Sequence, residues 1–170
     1  MRRSSALGLL VVITAAGAPP ARPAPPSAAK PDVQATLLTP ATAASGSKAT
    51  IAVELKLGPG WHVNSHTPSE SFLIPTSVTL SSGTARLSPV RYPKPVEKRF
   101  GFSEKPLAVY EGTVRFETEL EVPAGAAGSV TITGSLSYQA CNDQQCFAPA
   151  TIPLKAGVMT ITGPAKSVSN

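Results

Sequence analysis

Cys141 and Cys146 are the only cysteines among 170 residues, and four residues separate them in Ala140-Cys-Asn-Asp-Gln-Gln-Cys-Phe147. A disulfide across so short a loop constrains little of the unfolded chain, and the chain-entropy model assigns it about 2 kcal/mol before strain is subtracted. Such a pair suits opening and closing better than holding a fold together. Thiol–disulfide exchange is therefore the first chemistry to weigh: a thiolate attacks a target disulfide and the second cysteine resolves the mixed disulfide. Two other readings compete with it. His62-x3-His66 and the two cysteines offer imidazoles and thiolates, a set that suits zinc or copper. That reading needs both histidines on one side of a strand with no turn between them, and they lie far from the cysteines in sequence. A disulfide that only locks a hairpin is the default for an exported protein judged on cysteine count alone. Hydrolysis has no support, since no Gly-x-Ser-x-Gly elbow occurs and neither histidine sits in a nucleophile arrangement. The adopted reading has no metal and no cofactor.

The compartment is read from the start of the chain. Residues 1–18 have the form of a signal peptide, with Arg2 and Arg3 at the positive end, an apolar run from Leu7 to Ile13, and small residues from Ala15 to Ala18. Export places the cysteines where disulfides form, so the expected location is the periplasm. The apolar run is too short to span a bilayer, and no stable membrane insertion is expected. Residues 19–31 are a Pro/Ala-rich tether, 32–163 one domain, and 164–170 a tail. The formal charge of +5 is mild and includes Arg2 and Arg3, so it does not argue for nucleic acid. Arg91, Lys94, Lys98, Arg99 and Lys105 gather in one stretch, but Glu97 and Glu104 interrupt them and the stretch reads as a solvated loop.

The elements that must position the cysteines are strands. Ile51, Val53, Leu55 and Leu57 alternate with polar or small residues, as do Val114, Phe116, Leu120 and Val122, and Val130, Ile132, Leu136 and Tyr138. Further strands are expected over 33–38, 76–80, 85–90, 151–154 and 158–161, with turns at Gly58-Pro59-Gly60, Ser82-Gly83 and 123–128. No stretch has a helical period. Short antiparallel strands at this spacing predict an all-β, immunoglobulin-like antiparallel β-sandwich. Continuing the alternation places Gln139 and Cys141 on the face opposite Tyr138 and Ala140, with Cys141 at or beyond a strand end. Residues 142–145 then return the chain to Cys146, residues 151–154 supply the partner strand, and the sulfurs face each other across a hairpin mouth. Trp61, after the Gly-Pro-Gly turn, is expected to anchor the core or an edge.

The segment Tyr138-Gln-Ala-Cys-Asn-Asp-Gln-Gln-Cys-Phe-Ala-Pro149, followed by Ile152-Pro-Leu154, resembles the N-terminal periplasmic domain of the thiol:disulfide interchange protein DsbD. Gly60-Trp-His-Val-Asn-Ser-His-Thr-Pro68 with Ile74-Pro-Thr-Ser-Val78, and Tyr92-Pro93 through Arg99-Phe-Gly-Phe102 to Val109-Tyr-Glu-Gly112, are similar to further parts of that family. The resemblance covers residues 33–161. It implies an immunoglobulin-like fold and a redox-active Cys141/Cys146 pair, with Cys146 making the attack on the target. It also implies a cap over 97–103, in which Phe100 and then Phe102 shield the sulfurs, with Tyr138 and Gln139 shaping the site. Asp143 and Glu97 are candidate proton relays, the alternative for each being a solvated surface position. The implied partners are periplasmic thioredoxin-like oxidoreductases, serving disulfide repair or cytochrome c maturation, and a membrane electron donor. Full-length relatives continue into membrane helices whereas this sequence ends at Asn170, so a separate donor and a monomeric domain are expected. The family commonly places a tyrosine soon after the Trp-His pair, where this chain has Val63, Asn64 and Ser65.

Overall fold

The computed structural model describes residues 30–83 and 85–163; the expected signal peptide, most of the tether and the tail lie outside the described residues. Twelve strands follow in order: β1 (Val33–Leu38), β2 (Thr42–Ala44), β3 (Lys48–Leu57), β4 (His62–Asn64), β5 (Ser77–Ser81), β6 (Arg86–Leu87), β7 (Val96–Lys98), β8 (Leu107–Glu111), β9 (Thr113–Glu121), β10 (Gly128–Tyr138), β11 (Ala140–Cys141) and β12 (Ala150–Thr162). They form three sheets, ordered β1-β3-β9-β6, β2-β12-β10-β5 and β11-β4-β8-β7. All pairs are antiparallel except the short β2–β12 pair, which runs parallel.

The first two sheets make the sandwich. Ile51, Leu120 and Val122 of the first sheet side meet Val130, Ile132, Met159 and Ile161 of the second in one core cluster. Val53, Leu55, Phe116, Leu136, Tyr138 and Leu154 meet in another. Both arise from strands whose apolar residues recur every second position, so that one face of each sheet is covered by the other. The fold is thus all-β and immunoglobulin-like, and no described residue is helical.

The third sheet is built from continuations of sandwich strands. β3 turns through Gly58-Pro59-Gly60 into β4, β8 turns at Gly112 into β9, and β10 runs on past Gln139 into β11. Gly112 has φ +63°, a left-handed conformation suited to glycine in this one-residue turn. Val63, Tyr110 and Ala140 face the main core, so the opposite face of this sheet carries β11, β4 and β8 side chains of the other parity.

Several strand expectations change in detail. The expected strands 151–154 and 158–161 are one strand, β12, whose pairing with β10 shifts register between Ile132 and Gly134 and so breaks the alternation that suggested two. The expected strand 85–90 contracts to Arg86–Leu87. β8 was not anticipated because Leu107, Ala108, Val109 and Tyr110 are all buried, one parity on each covered face, which erases period-two alternation. The basic stretch includes the strand β7, with Lys98 paired to Glu111 and Arg91 to Glu117 and Glu119 rather than lying unpaired in a loop.

Candidate functional site

The cysteines sit where β10 leaves the second sheet for the third. Tyr138 still pairs with Ala150 of β12, but Ala140 and Cys141 pair with Val63 and His62 of β4. The cysteine segment's partner is therefore β4, with residues 151–154 pairing one step earlier, against residues 134–137 of β10. Cys141 and Cys146 are disulfide-bonded. The loop between them is tied by its own groups: Asn142 N–H donates to the Gln145 carbonyl, and Asn142 Oδ1 accepts from the amides of Gln144 and Gln145. Phe147 N–H donates to the Ala140 carbonyl and closes the hairpin. Cys141 is 1% exposed, whereas Cys146 is partly exposed.

Opposed residues of an antiparallel ladder project to the same face. His62 is opposite Cys141 on one side and opposite Glu111 on the other. Cys141, His62 and Glu111 therefore form a row across three strands, on the face turned away from the core cluster of Val63, Tyr110 and Ala140. The segment between β7 and β8 lies over this face. Phe100 is 5% exposed and packs with Leu73, Leu107 and Val109. Its ring stacks on the His62 imidazole with centroids 4.0 Å apart and planes 17° from parallel. Phe102 stacks on the outer side of Phe100 at 5.4 Å and is itself 41% exposed. The segment is held by a Ser103 N–H bond to the Phe100 carbonyl and by the Ser103 hydroxyl on the Lys105 carbonyl. Lys98 pairs with Glu111 and lies 5.5 Å from the Phe100 centroid.

Burial pushes the His62 imidazole down to about 4; the Glu111 carboxylate opposes this, Lys98 adds to it, and Asp143 opposes it. Its Nε2 is buried without a hydrogen-bond partner, a costly condition for a polar atom and more so for a charged one. Lys98 is held above its ordinary value first by its hydrogen bond to Glu111, with Asp143 contributing in the same direction. Asp143, exposed in the disulfide loop, thus acts electrostatically on both His62 and Lys98.

The other expected site residues are distributed as follows. Gln139 bridges three segments: its Oε1 accepts from Asn64 Nδ2 and from Ile74 N–H, and its Nε2 donates to the Phe147 carbonyl. Tyr138 lies in the main core. Glu97 is exposed on β7 opposite Ala108, which puts it on the parity opposite Lys98 and away from the row containing Cys141. Trp61 packs on the core and meets Phe147 edge to face at 5.3 Å. His66 has other neighbours than His62, stacking on Tyr92 at 3.7 Å while its Nδ1 lies 3.1 Å from the Thr76 carbonyl oxygen. Among the described residues no three His, Cys, Asp or Glu side chains form a group able to hold a metal ion. Sequence reasoning joined His62 to the cysteines only in the metal reading, together with His66, and missed Glu111 altogether, because a three-residue strand pairing across most of the domain leaves no local signal.

Comparison with known proteins adds the family. No curated protein sequence matches the chain. The N-terminal periplasmic domain of ScsB from Proteus mirabilis is 18% identical at a TM-score of 0.46, over 72% of this chain and 44% of that one. This chain thus spans less than half of that protein's length. The Neisseria meningitidis DsbD N-terminal domain in its reduced form is 16% identical at a TM-score of 0.39, over 73% of this chain and 86% of that one. The family model described as "Thiol:disulfide interchange protein DsbD, N-terminal" matches residues 34–155, which contain the whole of the third sheet and both cysteines, and the chain belongs to that family of thiol:disulfide interchange domains.

Proposed function

We propose that this protein is a periplasmic electron relay that passes reducing equivalents through Cys141 and Cys146 to thioredoxin-like oxidoreductases, which use them for disulfide repair or cytochrome c maturation. Residues 1–18 direct its export, and a membrane partner re-reduces the pair. The observation that carries this reading is a disulfide held at a sheet end, with one cysteine partly exposed and the other buried on the sheet face that an aromatic segment covers at the neighbouring His62. Cys146 makes the attack on the target disulfide and Cys141 resolves the mixed disulfide, an order that the difference in exposure supports. Phe100, backed by Phe102, is the cap that a docking partner must displace, and Gln139 sets the position of the loop. Asp143 is the acid placed to exchange protons there; Glu97 is not.

The test is the reduction potential of the pair, obtained by equilibrating the protein with thiol buffers and counting free thiols. A value within roughly −120 to −270 mV is expected for an exchange protein, and one below about −300 mV would mark a structural bond. Replacing Cys146 by Ala should abolish exchange with protein disulfides and leave the fold intact.

A further inference from the structure

The row Cys141–His62–Glu111 contains a buried group for which the exchange scheme above has no task. His62 is 1% exposed, its Nε2 has no partner, and it is the cross-strand neighbour of the cysteine that must resolve the mixed disulfide. A packing histidine normally has its ring nitrogens satisfied. Here the ring is instead clamped between the sheet and Phe100.

We propose that His62 is the proton carrier for Cys141, kept idle by Phe100 while the cap is closed and brought into use when the cap lifts. This rests on the exchange reading. The charged and titratable groups around His62 are Glu111 on β8, Lys98 on β7, Asp143 in the disulfide loop and Cys141 on β11. With Phe100 seated, the site is too dry for an imidazolium, so the ring is neutral and a weak base. When Phe100 leaves, water reaches the ring and the Glu111 and Asp143 carboxylates favour the charged form. One movement thereby uncovers the sulfurs and activates the base.

Cys146 Sγ is bonded to the target's sulfur after the first attack, and Cys141 is a thiol. Its proton passes to the imidazole, leaving a Cys141 thiolate beside an imidazolium. The thiolate attacks Cys146 Sγ, the Cys141–Cys146 bond forms, and the bond from Cys146 to the target breaks. The target leaves as a thiolate and takes the proton from the imidazolium. The domain has lost two electrons and two thiol protons, and the target has gained them.

The decisive experiment compares His62→Gln and His62→Phe in the full chain. The phenylalanine ring can keep the stack on Phe100 but cannot carry a proton. Resolution of a trapped mixed disulfide with an oxidised thioredoxin-like protein should slow about tenfold or more at neutral pH in both variants; wild-type speed in His62→Phe would overturn the proposal by reducing His62 to packing. A second readout does not require exchange. In a Cys146→Ser background, the thiolate absorbance of Cys141 is titrated with and without His62→Gln in the cap-free Phe100→Ala form. The midpoint should rise by about one unit when the imidazole is lost, and an unmoved midpoint overturns the proposal. If the wild type fails to exchange while this midpoint still moves, the relay reading falls and the His62–Cys141 coupling survives. Should the His62 variants not fold, imidazole resonances of the oxidised protein decide. Their midpoint should climb from about 4 towards about 6.5 on Phe100→Ala, and no change would count against the gate.

Discussion

At the level of single residues, the two cysteines are chemically alike and differ in access. Cys141 is 1% exposed and lies in the covered row, whereas Cys146 is at the open side of the loop. A thiol must be reached before it reacts, so iodoacetamide should label Cys146 of the reduced protein at least about tenfold faster than Cys141. Peptide mapping after a short pulse measures this, and equal labelling would remove the basis for assigning the attack. Phe100→Ala should narrow the gap by uncovering Cys141. His62 adds a pH dependence. Its pKa is lowered in the folded protein to about 4, by burial above all; the unfolded chain therefore binds more protons between that value and the ordinary one near 6.5. Its neutral state is unpenalised above about pH 6.5, and stability falls as the pH drops towards about 4, by up to about 3 kcal/mol. Urea unfolding at both ends of this window should show a smaller loss in His62→Phe than in the wild type, since carboxylate titrations are common to both.

At the level of elements, the site depends on short strands whose positions are set from outside the cysteine segment. Gln139 is a threefold tie, joining the end of β10 to Asn64 of β4, to Ile74 in the connection that follows, and to Phe147 beyond the disulfide. Removing it takes three hydrogen bonds from the site, so Gln139→Ala should lower unfolding free energy by about 2 kcal/mol and speed reduction of the disulfide by dithiothreitol. A stability loss with unchanged reduction kinetics would mean that the tie does not position the sulfurs. Such ties also show what was legible in the sequence. The long strands β1, β3, β9 and β10 were readable because one face of each meets the core and period-two alternation survives. β4, β8 and β11 were not, since both faces are covered and their partners are distant in sequence. The cysteine pair could be recognised from residue type and spacing. The row it belongs to could not, because His62 reaches Cys141 only through a ladder two residues long. Gly134 gives a second case. A Cβ there would collide with the Thr79 carbonyl oxygen, a close approach between β10 and β5 that the residue's identity alone does not distinguish from a turn. Gly134→Ala should destabilise by about 1–3 kcal/mol through overpacking, as thermal unfolding would report.

For the whole molecule, the arrangement separates the part that folds from the part that reacts. The two sandwich core clusters contain neither cysteine; the third sheet adds only Val63, Tyr110 and Ala140 to one of them, from the face opposite the Cys141 row. The disulfide closes a loop of five-residue separation on the third sheet, so breaking it releases little chain entropy. A relay needs this separation, because its oxidised and reduced forms must both be folded for electrons to pass in and out repeatedly. Reducing the protein, or replacing both cysteines by Ser, should therefore leave the far-ultraviolet strand signal unchanged and lower the unfolding free energy by only about 2 kcal/mol. Denaturant titration of the oxidised, reduced and doubly substituted forms measures this. A drop of 4 kcal/mol or more, beyond what about 2 kcal/mol of loop entropy explains, would show that the bond holds the fold, and the disulfide would then be structural. A small drop with a reduced form that still seats Phe100 on His62 would instead show that the sandwich is indifferent to redox state and that reduction alone does not lift the cap, which leaves its displacement to the docking partner.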